Sequence, residues 1–257
     1  MASNPPGQCC LEGFRHEYEY PAPSEPRGEM IKIANDSISA YLATPAADKN
    51  KNVGILYIAD IFGLWNNSKL LADEFAKNGY TCLIPDLFNG DVCPNPRPAG
   101  FDVMGWFARG SNGDNPHTSE QVDPIVVKGI EALKGLGLGK IGAVGYCFGA
   151  KYVVRHYKDG IQAGFLAHPS FVTEEEFAAI AGPISIAAAE TDSIFPLDKR
   201  VASEKILNTL SHAWQINLYS GTEHGFAVRG DMSKRHLKFA KEQAFNQAVT
   251  WFDEHLA

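Results

Sequence analysis

Hydrophobic residues fall into short apolar runs separated by stretches with helical spacing. Residues 53–58 (Val-Gly-Ile-Leu-Tyr-Ile) are continuously apolar, which is typical of a strand covered on both faces. Residues 38–43 alternate between apolar and polar, which predicts a half-buried strand at the edge of the sheet. Residues 69–78 carry apolar side chains at helical spacing and stop at Gly79, a helix C-cap signal. The first three predicted elements are therefore two strands followed by a helix.

The same alternation continues to the C-terminus. Strands are expected over 80–84, 141–144, 163–167, 184–188 and 213–218, and helices over 122–134, 150–157, 174–180, 199–210 and 233–255. Strands and helices in alternation predict an α/β fold, with a mostly parallel sheet covered by helices on both faces. Residues 1–28, rich in Pro, Gly and Glu, are expected to form an extended arm. Residues 29–257 are expected to form one domain.

Residues 86–120 interrupt this rhythm. They are rich in Pro, Gly and Asn and contain the aromatic residues Phe88, Phe101, Trp106 and Phe107. A segment this long without a predicted helix or strand tends to be a lid or a binding loop. Each aromatic taken singly is expected to seal the loop onto the core, whereas together they are expected to line a pocket.

Composition narrows the class of protein. A net charge of −7 argues against a nucleic-acid partner. The N-terminus lacks the basic and apolar regions of a signal peptide, and no apolar run approaches the length of a membrane span. The five cysteines are an odd number without metal-ligand spacing, which indicates a reducing compartment and no metal site. We therefore expect a cytoplasmic protein without a membrane partner, and a homodimer stays open.

The most informative motif is Gly145-Tyr-Cys-Phe-Gly149, between a predicted strand and a predicted helix. This is the pattern of a nucleophile elbow with cysteine in place of serine. An elbow needs small flanking residues because the nucleophile sits in a strained, sharp turn. The alternative is that Cys147 is a buried structural thiol, since free cysteines are often buried.

A thiol nucleophile also needs a base and an orienting acid. Asp192 follows the strand predicted at 184–188, and His224 follows the one predicted at 213–218. Taken singly, Asp192 could be a turn residue and His224 a solvated loop residue. The chain order of nucleophile, acid and histidine is nevertheless that of α/β-hydrolases, which predicts a catalytic triad.

These residues resemble the dienelactone hydrolase family, and its fungal branch. The resemblance spans residues 30–255, and its motifs are Ala59-Asp-Ile-Phe-Gly63, Pro85-Asp-Leu-Phe88, the cysteine elbow, Ala167-His-Pro-Ser170, Asp192 and Glu223-His-Gly-Phe226. It implies an α/β-hydrolase fold without a large cap domain, a Cys-His-Asp triad, no metal or organic cofactor, and a small-molecule lactone or ester that carries polar groups as substrate. It further implies an oxyanion hole formed by the backbone N–H groups of Phe148 and Ile61.

The resemblance also implies roles around the triad. Asp60 matches an acidic residue that holds and activates the thiol, although its short side chain could instead act through water or cap the following helix. Arg229 lies near a position that clasps a substrate carboxylate, but Arg229, Arg97 and Arg109 are each favoured as surface charges over substrate clamps. Trp106 belongs to the aromatic group of the 86–120 loop.

Three more side chains could either line the substrate pocket or serve only as packing and turn residues: Tyr146, His168 and Phe226. Two other functions stay open: Cys147 could be a redox sensor, or the chain could be a non-catalytic scaffold that binds a ligand.

Overall fold

The computed structural model describes residues 3–5 and 25–256. Its strands are β1 (Glu29–Ile33), β2 (Ile38–Ala43), β3 (Val53–Ile58), β4 (Thr81–Pro85), β5 (Lys140–Tyr146), β6 (Ala163–Ala167), β7 (Ile184–Thr191) and β8 (Trp214–Glu223). Its helices are α1 (Asn66–Lys77), α2 (Val103–Arg109), α3 (Ser119–Gly135), α4 (Gly149–Arg155), α5 (Glu174–Ala178), α6 (Leu197–Leu207), α7 (Phe226–Arg229) and α8 (Arg235–Leu256). None of these helices is long and apolar enough to cross a membrane.

The strands form one sheet in the order β1-β2-β4-β3-β5-β6-β7-β8. Strands β3 to β8 pair in parallel, and the β1–β2 hairpin joins antiparallel through β2 and β4. This confirms the expected α/β-hydrolase fold. The expectation that residues 38–43 form an edge strand is wrong, because β1 covers them on the outer side. The chain places β4 on one side of β3 and β5 on the other, which puts a topological switch between β3 and β5.

Helices cover both faces of the sheet. Helices α1 and α8 bury their apolar sides on one face, against residues such as Ile55, Val144 and Phe165. Helices α3 and α4 lie on the other face, with Leu56, Ile58 and other alternate strand residues. Both faces of the central strands are therefore buried, and this explains the continuous apolar runs in the sequence.

Two local predictions need correction. Residues 86–120 are not all loop, because they contain α2, whose first turn is capped by the Asp102 carboxylate accepting the Gly105 N–H. Strand β8 runs five residues beyond its predicted end, so His224 follows it directly. The prediction of an extended arm over 1–28 falls mostly on residues 6–24, which lie outside the described residues. Ser3 is buried, and its backbone N–H donates to the Val172 carbonyl at 2.9 Å.

Candidate active site

Cys147 lies between β5 and α4, at the carboxyl end of the sheet beside the switch point. Its φ is +52°, a value that few non-glycine residues adopt and that marks local strain. A Cβ atom on Gly149 would lie 2.0 Å from the Ile58 carbonyl oxygen, and one on Gly145 would lie 2.7 Å from the Ala150 Cα. The two glycines are therefore required by close backbone approach, as expected for an elbow.

The loop after β6 holds the strained turn in place. The Cys147 N–H donates to the Ala167 carbonyl at 3.1 Å, and the Ser170 N–H donates to the Cys147 carbonyl at 3.1 Å. The Ser170 hydroxyl also contacts the Cys147 Sγ at 3.5 Å. The sequence placed Ser170 in a family motif but indicated no role for it, and no periodicity or spacing singles it out.

His224 and Asp192 meet at the same end of the sheet. The His224 Nδ1 lies 2.9 Å from the Asp192 Oδ2, and both side chains are fully buried. The other carboxylate oxygen of Asp192 accepts the N–H groups of Ile194 at 2.8 Å and Phe195 at 3.0 Å. These backbone donors fix the carboxylate, which can then fix the histidine ring.

The electrostatics of the site favour a charged imidazole beside the thiol. Burial lowers the pKa of His224, but the facing Cys147 and Asp192 outweigh burial and raise this pKa well above the usual range. Among the described residues, the His224 Nε2 is buried without a hydrogen-bond partner, so Cys147 acts on this ring through its charge and closeness. Burial alone would raise the pKa of Asp192, yet the charge and hydrogen bond of His224 bring it below the usual range. The arrangement can therefore hold a thiolate and an imidazolium together.

The loop after β3 carries Asp60 and Ile61 next to the elbow. The Asp60 Oδ1 accepts the Phe62 N–H at 3.1 Å, and the Cys93 N–H donates to the Ile61 carbonyl at 3.0 Å. Two hydrogen bonds thus fix the peptide groups around Ile61. Phe148 follows Cys147 at the start of α4, where backbone N–H groups lack helical partners.

Arg229 is not a surface charge, and this prediction is wrong. Its Nη1 lies 2.6 Å from the Asp60 Oδ2, with both side chains almost fully buried. Burial raises the pKa of Asp60 and the nearby thiol raises it further, whereas Arg229 lowers it. Asp60 does not cap the following helix either, because α1 begins at Asn66 with Trp65 as its N-cap. The sequence held no signal for this pairing, since the two residues are 169 positions apart.

The other two arginines differ from each other. Arg109 is exposed, with an ion-pair contact to Asp102 at 3.8 Å, in agreement with a surface charge. Arg97 is half-buried and lies over the Phe101 ring at 6.0 Å, and its charge lowers the pKa of the Cys93 thiol, which burial raises. Arg109 is therefore exposed to solvent, whereas Arg97 packs against the 86–120 segment.

Aromatic residues of the 86–120 segment pack around the elbow. Phe107 stacks on Phe148 with ring centroids 5.3 Å apart, and Phe88 lies 5.4 Å from the same ring. Trp106 packs on Phe107 at 4.8 Å and is buried. These residues form a buried aromatic cluster next to Cys147, in agreement with the expectation that each one seals the segment onto the core.

Two of the remaining candidates, Tyr146 and Phe226, belong to the apolar cluster on the α1 and α8 face of the sheet, and His168 lies next to His224. Tyr146 stacks on Tyr57 at 4.8 Å. His168 is fully buried, 4.9 Å from His224 and 5.8 Å from Phe226 between ring centroids. Burial, with the charges of His224 and Arg229, holds the pKa of His168 well below its usual range. The surroundings therefore favour the neutral form of His168 and the charged form of the neighbouring His224.

Within the described residues, no group of three His, Cys, Asp or Glu side chains is placed to hold a metal ion. The fold, together with the thiol at the nucleophile elbow, identifies the protein as an α/β-hydrolase. The sequence profile of the dienelactone hydrolase family matches residues 38–256, and the chain belongs to that family of hydrolases that act on lactones and esters.

Similar proteins agree with this family over the whole chain. The hydrolase pyvD of Aspergillus violaceofuscus is 45% identical, over 100% of this chain and 99% of its own length. The hydrolase tropI of Talaromyces stipitatus is 44% identical, with the same shares covered. The crystal structure of the dienelactone hydrolase from Anabaena variabilis superimposes with a TM-score of 0.62 at 11% identity, over 90% of this chain and 99% of the other. At that identity the structural match supports the fold alone.

Proposed function

We propose that the protein hydrolyses lactones or esters through Cys147, with His224 as the base and Asp192 as the orienting acid. The observation that carries this proposal is a buried chain of three groups, in which the Asp192 carboxylate lies 2.9 Å from the His224 Nδ1 and the nearby Cys147 thiol raises the pKa of the same imidazole. Each member of such a chain needs the next one, because the thiolate is the nucleophile and the imidazole must be held in one tautomer.

The reaction proceeds in two steps. The Cys147 thiolate attacks the carbonyl carbon, the acyl C–O bond breaks, and His224 gives its proton to the departing alkoxide. A lactone opens at this step, whereas an ester releases an alcohol, and in both cases a thioester remains on Cys147. His224 then takes a proton from water, the hydroxide attacks the thioester, and the C–S bond breaks to release the acid and restore the Cys147 thiolate beside protonated His224.

The developing oxyanion requires preorganised donors. The backbone N–H groups of Ile61 and Phe148 are the proposed pair, one from the loop after β3 and one from the elbow. Hydrogen bonds from Phe62 and Cys93 rigidify the first of these loops, as preorganisation demands. Removal of one donor in such a site typically costs about 2.7–4 kcal/mol of transition-state stabilisation.

The surroundings of the elbow favour a substrate with an aromatic or other apolar group. Phe148 is itself part of the buried aromatic cluster with Phe88, Trp106 and Phe107. Arg229 already pairs with Asp60, so its charge is compensated before substrate arrives. We therefore expect aryl esters and aromatic lactones to be better substrates than small charged ones.

Hydrolysis of a panel of lactones, aryl esters and thioesters tests the proposal. The wild type is compared with Cys147→Ala and with Cys82→Ala, which removes another buried free thiol. Turnover that survives in Cys82→Ala and disappears in Cys147→Ala supports the proposal. Equal turnover in Cys147→Ala overturns it.

Peroxide treatment of the same three proteins separates the redox alternative. No turnover with any substrate, together with oxidation confined to Cys147, would favour a redox sensor.

A further inference from the structure

Ser170 makes two contacts with Cys147. Its backbone N–H donates to the Cys147 carbonyl at 3.1 Å, and its Oγ lies 3.5 Å from the Cys147 Sγ. The side chain is fully buried. In the part of the chain that the structure describes, the thiol is the hydrogen-bond partner of this hydroxyl.

The loop that carries Ser170 is held rigidly. The Val172 N–H donates to the Ser3 Oγ at 2.7 Å, and the Phe171 N–H donates to the Asn4 carbonyl at 3.1 Å. On the other side, the Lys151 Nζ donates to the Phe171 carbonyl at 3.2 Å. The hydroxyl therefore stays at a fixed distance from the sulfur atom.

The hydrogen bond from the Ser170 N–H to the Cys147 carbonyl already holds this loop against the elbow, so the hydroxyl is not needed for that purpose. An alanine would preserve the backbone hydrogen bond and would avoid the burial of a polar group. The hydroxyl must consequently gain its stabilisation from the sulfur atom. In the thiolate form, which is the nucleophile, the sulfur can only accept a hydrogen bond.

We propose that Ser170 is a positioning residue whose hydroxyl donates a hydrogen bond to the Cys147 thiolate and stabilises it beside the His224 imidazolium. Ser170 keeps its proton throughout, and the proton that moves is the one shared by Cys147 and His224. The inference rests on the proposed function only in making Cys147 the nucleophile. The hydrogen bond itself needs no substrate.

Titration of the thiolate absorbance in the ultraviolet tests this contact directly. The spectrum of a Cys147→Ala partner is subtracted from that of each protein, which removes the other thiols. We expect the midpoint for Cys147 to move up by about one pH unit in Ser170→Ala, because a lost hydrogen bond to a charged group weakens the charged form by about that much. Ser203→Ala is the matched control, since Ser203 is equally buried but donates to the Lys199 carbonyl.

An unchanged midpoint in Ser170→Ala would overturn the proposal. A lower midpoint would also overturn it, because the hydroxyl would then accept from the thiol and hold it protonated. If Ser170→Ala does not fold, Ser170→Thr and Ser170→Val replace it, since the two side chains have the same shape and differ in the hydroxyl. Ser170→Val is then expected to have the higher midpoint. A shifted midpoint in an enzyme that hydrolyses nothing would refute the proposed function and leave this contact standing.

Discussion

The buried ion pair of Arg229 and Asp60 should dominate the stability of the region around the elbow. Its two charged atoms lie 2.6 Å apart, and the side chains are 1% and 0% exposed. Removing one partner of such a pair leaves an uncompensated buried charge, which typically costs about 3–5 kcal/mol. We therefore expect Arg229→Met to lower the free energy of unfolding by about that amount at neutral pH.

The loss should depend on pH with a definite sign. Without Arg229, burial and the nearby thiol hold the pKa of Asp60 even further above its unfolded value. The folded variant then binds more protons than the unfolded chain, so its stability falls as pH rises. Arg229→Met should thus be closer to the wild type at pH ~5 than at pH ~7.5.

Urea unfolding of four proteins measures both effects: the wild type, Arg229→Met, Asp60→Asn and the double variant. The double variant should lose at least about 2 kcal/mol less than the sum of the single losses. Lys77→Met is the control, because Lys77 pairs with Glu74 at the surface and should lose about 1 kcal/mol or less. A loss below about 1 kcal/mol in Arg229→Met, or strictly additive single variants, would show that the two buried charges do not stabilise each other.

Two further predictions concern backbone packing and a buried lysine. Gly149→Ala should lose about 2–3 kcal/mol or more in chemical unfolding because its Cβ would meet the Ile58 carbonyl at 2.0 Å. Gly135→Ala, with nothing within 4 Å, should instead be neutral or slightly stabilising, and equal losses would contradict the elbow packing. Lys241 is buried, which lowers its pKa to about 7, so the unfolded chain binds a proton that the folded protein lacks above that pH. The free energy of unfolding of the wild type, measured relative to that of Lys241→Met, should rise by about 1.4 kcal/mol per pH unit from pH ~7 to ~9. If the free energies of the two proteins instead change in parallel with pH, Lys241 stays charged in the folded protein.

The sequence predicted those features whose tertiary packing restricts the residue types within a short stretch of the chain. The apolar runs of β3 and β5 mark strands buried on both faces, and the elbow glycines mark a turn without room for side chains. Cys147, Asp192 and His224 each follow a parallel strand, so their meeting at one end of the sheet followed from chain order. The chemical roles of these three residues stay a prediction.

The missed features depend on contacts between distant parts of the chain. Strand β1 is a five-residue strand with Glu29 and Lys32, stabilised by pairing with β2 rather than by an apolar run of its own. Helix α2 has seven residues in a region rich in turn formers, and its burial comes from packing on Phe148. The predicted surface position of Arg229 was wrong because a partner 169 residues away compensates the charge inside the protein.

The most direct test of the account is to locate the acyl group during turnover of an aryl ester. Rapid acid quenching followed by intact-protein and peptide mass spectrometry would show whether the protein carries an acyl group and where. We expect one acyl group on the peptide that contains Cys147, released by hydroxylamine and absent from Cys147→Ala. An acyl group on another residue, or continued turnover by Cys147→Ala, would contradict it.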